Sequence, residues 1–408
     1  MDRPAGSAKL LRAMNESAAL GHLLDNGALT RNDLRELTGL SKPTTSEVLR
    51  RLTDAGLAIV AGHTSGGPGP NAEIYAANPE AAYAVAVSVR ETTGTGRPAL
   101  GVAVSDLTGT TRGRTEHAVD FDTTTVAAAI ERAVTEQCAQ IGVPTGRLRR
   151  VQLGVPGSYD PRSDTINHVD VPGLARPGLV GELSRALRTS VGVDNDVNLA
   201  AVAERRRGVA AGADSFALLW FGEGLGLAID LGGTLLRGAS GGAGEIGYMP
   251  LGLPPSPDLR PDLHDVVGGR AVLALAKEHG IEAATPGEAV LQAGPAMLAA
   301  LAERIAVGLA AVVAVLDPAL VVLAGEVGQA GGMALRDAVC AATRSASPLD
   351  TEIAVTGIPD DAVLLGALDA ALAEVREQLI RNLHDLTRYP PSPPPLPRGA
   401  PPNDSPMA

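Results

Sequence analysis

The sequence predicts a multidomain α/β protein: a small helical head closed by a strand pair, then a larger part built as two lobes. Three observations predict it. Residues 10–57 hold three apolar-periodic stretches separated by short breaks at Gly27 and Gly39. Residues 58–77 read as an apolar strand, a Gly- and Pro-rich turn and a second strand. From about residue 80 strand-like runs alternate with amphipathic helical stretches, and the pattern starts afresh at residue 216.

With 408 residues, 45% hydrophobic and 20% charged, the chain has the composition of a soluble protein with more than one domain. Only nine residues are aromatic, so the core must come from Ala, Val, Leu and Ile, with little to stack on a flat ligand. Cys138 and Cys340 stand alone and far apart, which offers neither a disulfide framework nor a paired metal spacing. No basic-then-apolar leader opens the chain, and its apolar runs are broken by Gly, Pro or a charge before about 18 residues. The expectation is a cytoplasmic protein without a membrane partner. The net charge of −12 opposes nucleic-acid binding, yet residues 1–62 hold eight Lys or Arg against seven Asp or Glu. Any DNA contact therefore belongs to the N-terminus.

The head can be justified element by element. In LLRAMNESAALGHLL, Leu10, Met14, Ala18 and Leu20, with Leu23 and Leu24, recur at helical spacing, and Gly27 stops the helix. Thr30 caps RNDLRELTGL, with Asp33 three residues on in a near capping-box arrangement, and Gly39 ends it. Ser41 caps the third helix, Pro43 is tolerated in its first turn, and Val48, Leu49, Leu52 and Leu57 supply the buried side. The strands of AGLAIVAGHTSGGPGPNAEIYAANP then add a wing. Its tip carries His63 but no Lys or Arg, so no strong minor-groove contact is expected from it.

Residues 1–78 thus read as a winged helix-turn-helix DNA-binding domain. The third helix would lie in the major groove of double-stranded DNA, with Lys42, Thr44, Thr45 and Ser46 near base edges. Arg50 and Arg51 sit about two turns later, and at least one of them would face phosphate rather than bases. The bland alternative is a solvated surface helix, since Ser, Thr and Lys cap and solvate such helices everywhere. The attached wing weighs against it.

The larger part supplies YAVAVSVRETTGTGRPALGVAVSD as two strands, VAAAIERAVTEQCAQIG as a helix, VQLGVPGSYD as a strand into a turn, and LVGELSRAL before VGVDND. FALLWFGEGLGLAIDLGGTLLRG follows as a hairpin, then helices at 295–316 and 362–381 around the buried strand ALVVLAG. The segments VPGSYD, VDNDVNLAAVAE, FGEGLGLAIDLGG, RGASGGAGEIG and DPALVVLAGEV resemble, in order and approximate spacing, the ROK family of sugar kinases and sugar-responsive repressors. The resemblance covers about residues 80–380. It implies a two-lobed actin-like, sugar-kinase-like (ribonuclease H-like) domain over 79–385, and a winged head is what separates that family's repressors from its kinases.

A kinase of this type needs a phosphate-binding Asp-x-Gly-x-Thr turn in its first hairpin, where this chain has SVRETTGTG. DLGGT occurs instead at 230–234, after the second Gly-rich loop of Gly222, Gly224 and Gly226, so Asp230 reads as a turn residue. The resemblance implies a base at Asp196 and sugar-holding roles for Asn195 and Glu245. With the phosphate turn absent, Asp196 is expected to recognise a ligand, with a helix-cap remnant as the alternative. The family's zinc site uses a His and three Cys; here Tyr248 takes the His position, residues 249–270 lack Cys, and His264 stands alone, so no metal and no cofactor are expected. From Pro390 the chain is a Pro-rich tail, and residues 386–408 are expected to be disordered.

Together these observations predict a non-enzymatic transcriptional regulator, a repressor of carbohydrate-related genes. It would be a homodimer or higher homo-oligomer on an inverted-repeat operator, with a sugar or sugar derivative as possible effector. The rival is an ATP-dependent ROK hexose kinase with an appended DNA-binding head. A third reading keeps the lobes for dimerisation alone.

Overall fold

The computed structural model describes residues 5–64, 72–90, 98–121, 123–167, 171, 173–252, 261–358 and 360–386. The turn of the wing, the ETTGTGR segment of the first lobe, residues 253–260 and the Pro-rich tail lie outside the described residues. The chain divides into two compact units, Met1–Asn78 with Arg376–Ala408, and Pro79–Val375.

The head contains α1 (Ala5–Asn26), β1 (Leu29–Thr30), α2 (Arg31–Thr38), α3 (Lys42–Asp54), β2 (Ala58–His63) and β3 (Glu73–Ala77), its strands ordered β1-β3-β2. The punctuation is local chemistry. Thr30 and Asp33 exchange both bonds of a capping box, and Ser41 accepts from the Thr44 amide. Gly39 takes the left-handed conformation that ends α2, at φ +68°. Leu20, Leu23, Leu34, Leu49 and Leu52 form the core. The apolar face expected for α1 is partly corrected: Leu10 and Met14 are exposed, and the buried row runs through Ala13, Glu16, Ala19, Leu20 and Leu23. Ala13 and Ala19 lie inward beside Leu20 and Leu23, while Leu10 and Met14 turn outward.

The larger unit opens with β4 (Tyr83–Arg90), β5 (Ala99–Asp106), β6 (Thr111–Ala118), α4 (Val126–Gln140) and β7 (Leu148–Val155). A small hairpin, β8 (Ser158–Asp160) and β9 (Thr165–Asn167), precedes α5 (Leu179–Leu187), β10 (Ser190–Asn195) and α6 (Asp196–Arg207). The second half has β11 (Ser215–Phe221), β12 (Leu225–Leu231), β13 (Thr234–Leu235), α7 (His264–Val267), α8 (Gly269–Glu278), α9 (Pro286–Leu291) and α10 (Pro295–Leu316). It ends with β14 (Leu320–Ala324), α11 (Gly325–Ala346), β15 (Glu352–Val355) and α12 (Ala362–Leu386).

Two sheets share one plan. Their orders are β10-β7-β4-β5-β6 and β13-β12-β11-β14-β15, each an antiparallel meander extended by two parallel strands. Both faces of β4 and β5 are covered, which explains their continuous apolar runs. On one face of the first sheet α4 and α5 build a Val, Ile and Leu core. On the other, Ala86 and Ala103 pack against Leu199 of α6 and Leu364, Ala367 and Leu368 of α12. Gly366 makes that crossing possible, because a Cβ there would stand 1.7 Å from the Leu199 carbonyl oxygen. Helix α6 also packs on the second sheet, where Val197, Ala200 and Ala201 join Phe216, Leu218 and the half-buried Trp220. The loci of both lobes therefore meet on α6.

Helix α10 is long and strongly apolar. By length and composition it is apolar enough to cross a membrane, although Glu303 and Arg304 interrupt its sequence. Its inward row, including Leu301, Ile305, Leu309 and Val313, is buried in the core of the second lobe.

Candidate nucleic-acid interface and effector site

Helix α3 presents Lys42, Pro43, Glu47 and Arg50 exposed, with Thr44, Ser46 and Arg51 half-buried beside them. Thr45 is a correction to the sequence expectation: it is fully buried and its hydroxyl donates to the Ser41 carbonyl at 3.1 Å. The 100° step of the helix turns position 45 inward with Val48, Leu49 and Leu52, so it packs the head and does not face outward. Ser46 donates to the Lys42 carbonyl at 3.0 Å, and the Ser41 and Thr44 hydroxyls lie 2.8 Å apart.

Both arginines are already engaged. Arg50 donates to Glu47 through Nε at 3.0 Å and Nη2 at 2.8 Å, and to Asp54 through Nη1 at 2.6 Å. Arg51 donates to Glu47 through Nε at 2.7 Å and to the buried Glu16 through Nη1 at 3.4 Å. The Arg50 hydrogen bonds, then those of Arg51, hold the Glu47 carboxyl down at about 2. A groove of about 440 Å³ between α1 and α3 is lined by Arg12, Glu16, Glu47 and Arg51, among others. Sequence reasoning passed over Glu47. Its signal was the spacing of one Glu three and four residues before two Arg.

The candidate effector site gathers at the start of α6. Asn195, in extended conformation, caps the helix by accepting from the Val197 and Asn198 amides at 2.9 and 3.2 Å. Its amide nitrogen donates to the Gly157 carbonyl at 3.2 Å. The cap is therefore Asn195, whose polar atoms serve the fold. Asp196 is the first helical residue, half-buried, with Oδ1 accepting from the Val197 amide at 2.8 Å.

Loop 236–245 comes to the same place. Arg237 donates to Asp194 Oδ2 from Nε and Nη2, at 3.0 and 2.6 Å, while Asp194 Oδ1 accepts from Asn198 at 3.1 Å. Gly241 and Gly244 have φ of +82° and +92°, and a Cβ on them would meet the carbonyl oxygens of Tyr159 and Leu227. The loop is thus pressed between the 157–159 turn, which Asn195 also bonds, and β12. Half-buried Glu245 follows at its end. Asn195 and Gly241 thus meet at the 157–159 turn, with Asp196 next to the one and Glu245 four residues after the other. Sequence reasoning missed the Asp194–Arg237 pair that ties the two segments together.

The features of a phosphate site point elsewhere. Asp230 is buried, paired with Arg205, and accepts from the Gly233 amide at 2.8 Å in the β12–β13 turn. Gly232 and Gly233 have positive φ, as a tight turn requires. The second Gly-rich loop closes the β11–β12 hairpin and carries Glu223. Glu326, at the start of α11, lies against Gly222 of that loop. Burial pushes its carboxyl up, and the negative charge of Glu223 adds to the shift. Two carboxylates oppose polyanion binding there.

Tyr248 is 61% exposed, and the His264 ring packs near Gly247 and Gly268. Among the described residues no group of three His, Cys, Asp or Glu is placed to hold a metal.

Comparison with known proteins matches the ROK family over residues 94–374 and the MarR family over residues 11–65. The bifunctional enzyme NanE/NanK of Brucella suis is 31% identical over 239 residues, which cover 55% of this chain and 43% of that protein. The chain thus spans less than half the length of such curated relatives. The xylose repressor of Caldicellulosiruptor bescii is 20% identical, with 91% of this chain and 98% of that one covered. Among solved structures, a ROK family transcriptional regulator described as a homologue of the E. coli MLC protein superposes with a TM-score of 0.68 at 20% identity, over 93% of this chain and 99% of that one. A ROK hexokinase from Thermus thermophilus gives 0.60 at 26% identity, over 72% and 99%.

Proposed function

The chain belongs to the ROK family, and from that membership we propose that it is a DNA-binding transcriptional regulator, a sugar-responsive repressor. The observation that carries the proposal is the winged head: a capped third helix displaying Lys42, Thr44, Ser46, Arg50 and Arg51 on one outward side. The full-length likeness to a xylose repressor supports it. In this reading Asp196 and Glu245 accept hydrogen bonds from the hydroxyls of a sugar, Asn195 fixes the helix end that carries Asp196, and the lobes also hold a homodimer. The protein works where the DNA is, in the cytoplasm. No catalytic step is assigned to it, and no metal.

The kinase alternative rests on relatives such as NanE/NanK and the hexokinase structure. Against it stand Glu223 and Glu326 where a second Gly-rich loop would take phosphate.

Two measurements decide. Full-length protein should select an inverted-repeat duplex whose half-sites lie one or more helical turns apart, about 10 bp per turn. One of xylose, glucose or N-acetylmannosamine should release it, and Asp196→Asn should abolish that release. A coupled assay with ATP should detect no phosphorylation of the same sugars. Turnover lost in Asp196→Asn, or no preference for any duplex, would sink the proposal.

A further inference from the structure

The DNA-facing helix carries an acid at its centre, and its geometry differs from that of an ordinary surface ion pair. One carboxylate, Glu47, receives three N–H donors from two arginines, and each arginine's remaining contact goes to another acid, Asp54 or Glu16. Around the adjoining groove Arg12 and Arg51 alternate with Glu16 and Glu47, so an approaching phosphate meets two positive and two negative groups. Single exposed pairs are worth little and exchange readily. Here one side chain engages both arginines of the helix, at least one of which the sequence assigns to the DNA backbone.

We infer that Glu47 is a specificity-determining residue, which occupies Arg50 and Arg51 in the free protein and releases them to phosphate only when the rest of the helix face has docked on its operator. The inference rests on the proposal that α3 reads DNA. On random duplex, a phosphate must displace Glu47 from the arginines and then lie beside a carboxylate that has lost its partners. Exchange of one anion for another gains little, and the freed Glu47 repels the backbone. On the operator, base-edge contacts of the Lys42, Thr44 and Ser46 region offset that loss. The device thus lowers non-specific affinity more than specific affinity, and the ratio between them determines occupancy among competing sites.

Glu47→Gln in the full-length protein tests it, with Asp54→Asn as the comparison. Both remove one exposed negative charge from α3, but Asp54 touches Arg50 only. Dissociation constants are measured for a selected operator and a scrambled duplex between about 50 and 200 mM salt. Glu47→Gln is expected to bind the scrambled duplex about tenfold more tightly at low salt. Its log–log salt slope should steepen by about 1 to 2, since each added phosphate contact contributes about 0.9. The operator gains less, so the ratio falls, while Asp54→Asn changes both duplexes by under about threefold. Equal effects of the two variants would reduce Glu47 to net charge and overturn the inference. So would an unchanged slope, or lost discrimination at one base pair, which would make Glu47 a direct reader of a cytosine amine. If the unaltered protein prefers no duplex, the DNA-reading proposal itself fails, and this inference with it.

Discussion

At the scale of single residues, Thr45 and Ser46 separate packing from recognition. Thr45→Ala removes a buried hydroxyl bonded to Ser41, so it should cost about 0.5–1.5 kcal/mol in denaturant unfolding and leave base preference intact. Ser46→Ala should leave stability nearly unchanged and relax selection at one half-site position by about 1–3 kcal/mol. Relaxed selection in Thr45→Ala would show that the helix turns on binding. The chain near Thr45 was legible as a helix, and its spacing of three, four and seven residues from Val48, Leu49 and Leu52 marks it for the buried side, a periodicity that its polar character hid. Glu326 gives a pH test. Partial desolvation and Glu223 raise its folded pKa above the ordinary value of 4.5, and because the residue is exposed, solvent leaves the ionised form only a small cost in stability at neutral pH. That cost disappears as pH falls below the ordinary carboxylate value, where the group is protonated in both states. Glu326→Gln should therefore raise the melting temperature slightly at pH 7 and make no difference at pH 4; a lower melting temperature at pH 7 would contradict the direction of the shift.

Elements are decided at their ends and at their crossings. Asn195→Ala should destabilise the larger unit by about 0.5–2 kcal/mol, because two amides at the start of α6 lose their acceptor. Sugar binding should weaken with it, and Asn195→Asp, which keeps a capping oxygen, should recover stability. No recovery would mean that the cap geometry is not what the side chain supplies. Gly366→Ala forces α12 off α6, since the added Cβ meets the Leu199 carbonyl. Overpacking of this kind typically costs about 1–3 kcal/mol, and a circular-dichroism melt that did not fall would deny the close crossing. The caps of α2 and α3 were readable because Thr30, Asp33, Gly39 and Ser41 act over three or four residues. The outward turn of Leu10 and Met14, and the Arg205 pair that makes DLGGT a structural turn, were not. Those depend on partners brought in by the fold, 25 residues away in the case of Arg205 and Asp230.

For the whole molecule, the partition makes a truncation test possible. Residues 79–375 contain both sheets and their cores, so that fragment should unfold cooperatively and bind no operator. A fragment that still shifts the operator would remove DNA reading from the head. The alternation of strands and helices was visible in the sequence. The equivalence of the two sheet orders was not, because pairing β10 with β7 and β15 with β14 joins segments separated by whole helices. One feature of the second sheet also makes the molecule its own optical instrument. The chain has a single tryptophan, and it is Trp220, half-buried beside Val197 and Ala200 of α6, one residue from the end of β11. Indole emission therefore comes from one address, next to the helix that begins at Asp196. Excited at the red edge of the indole band, where tyrosine does not absorb, the protein should report sugar occupancy as a shift in wavelength or intensity without any label. The same signal, silent in Asp196→Asn, would let effector affinity be titrated directly, before the operator is known.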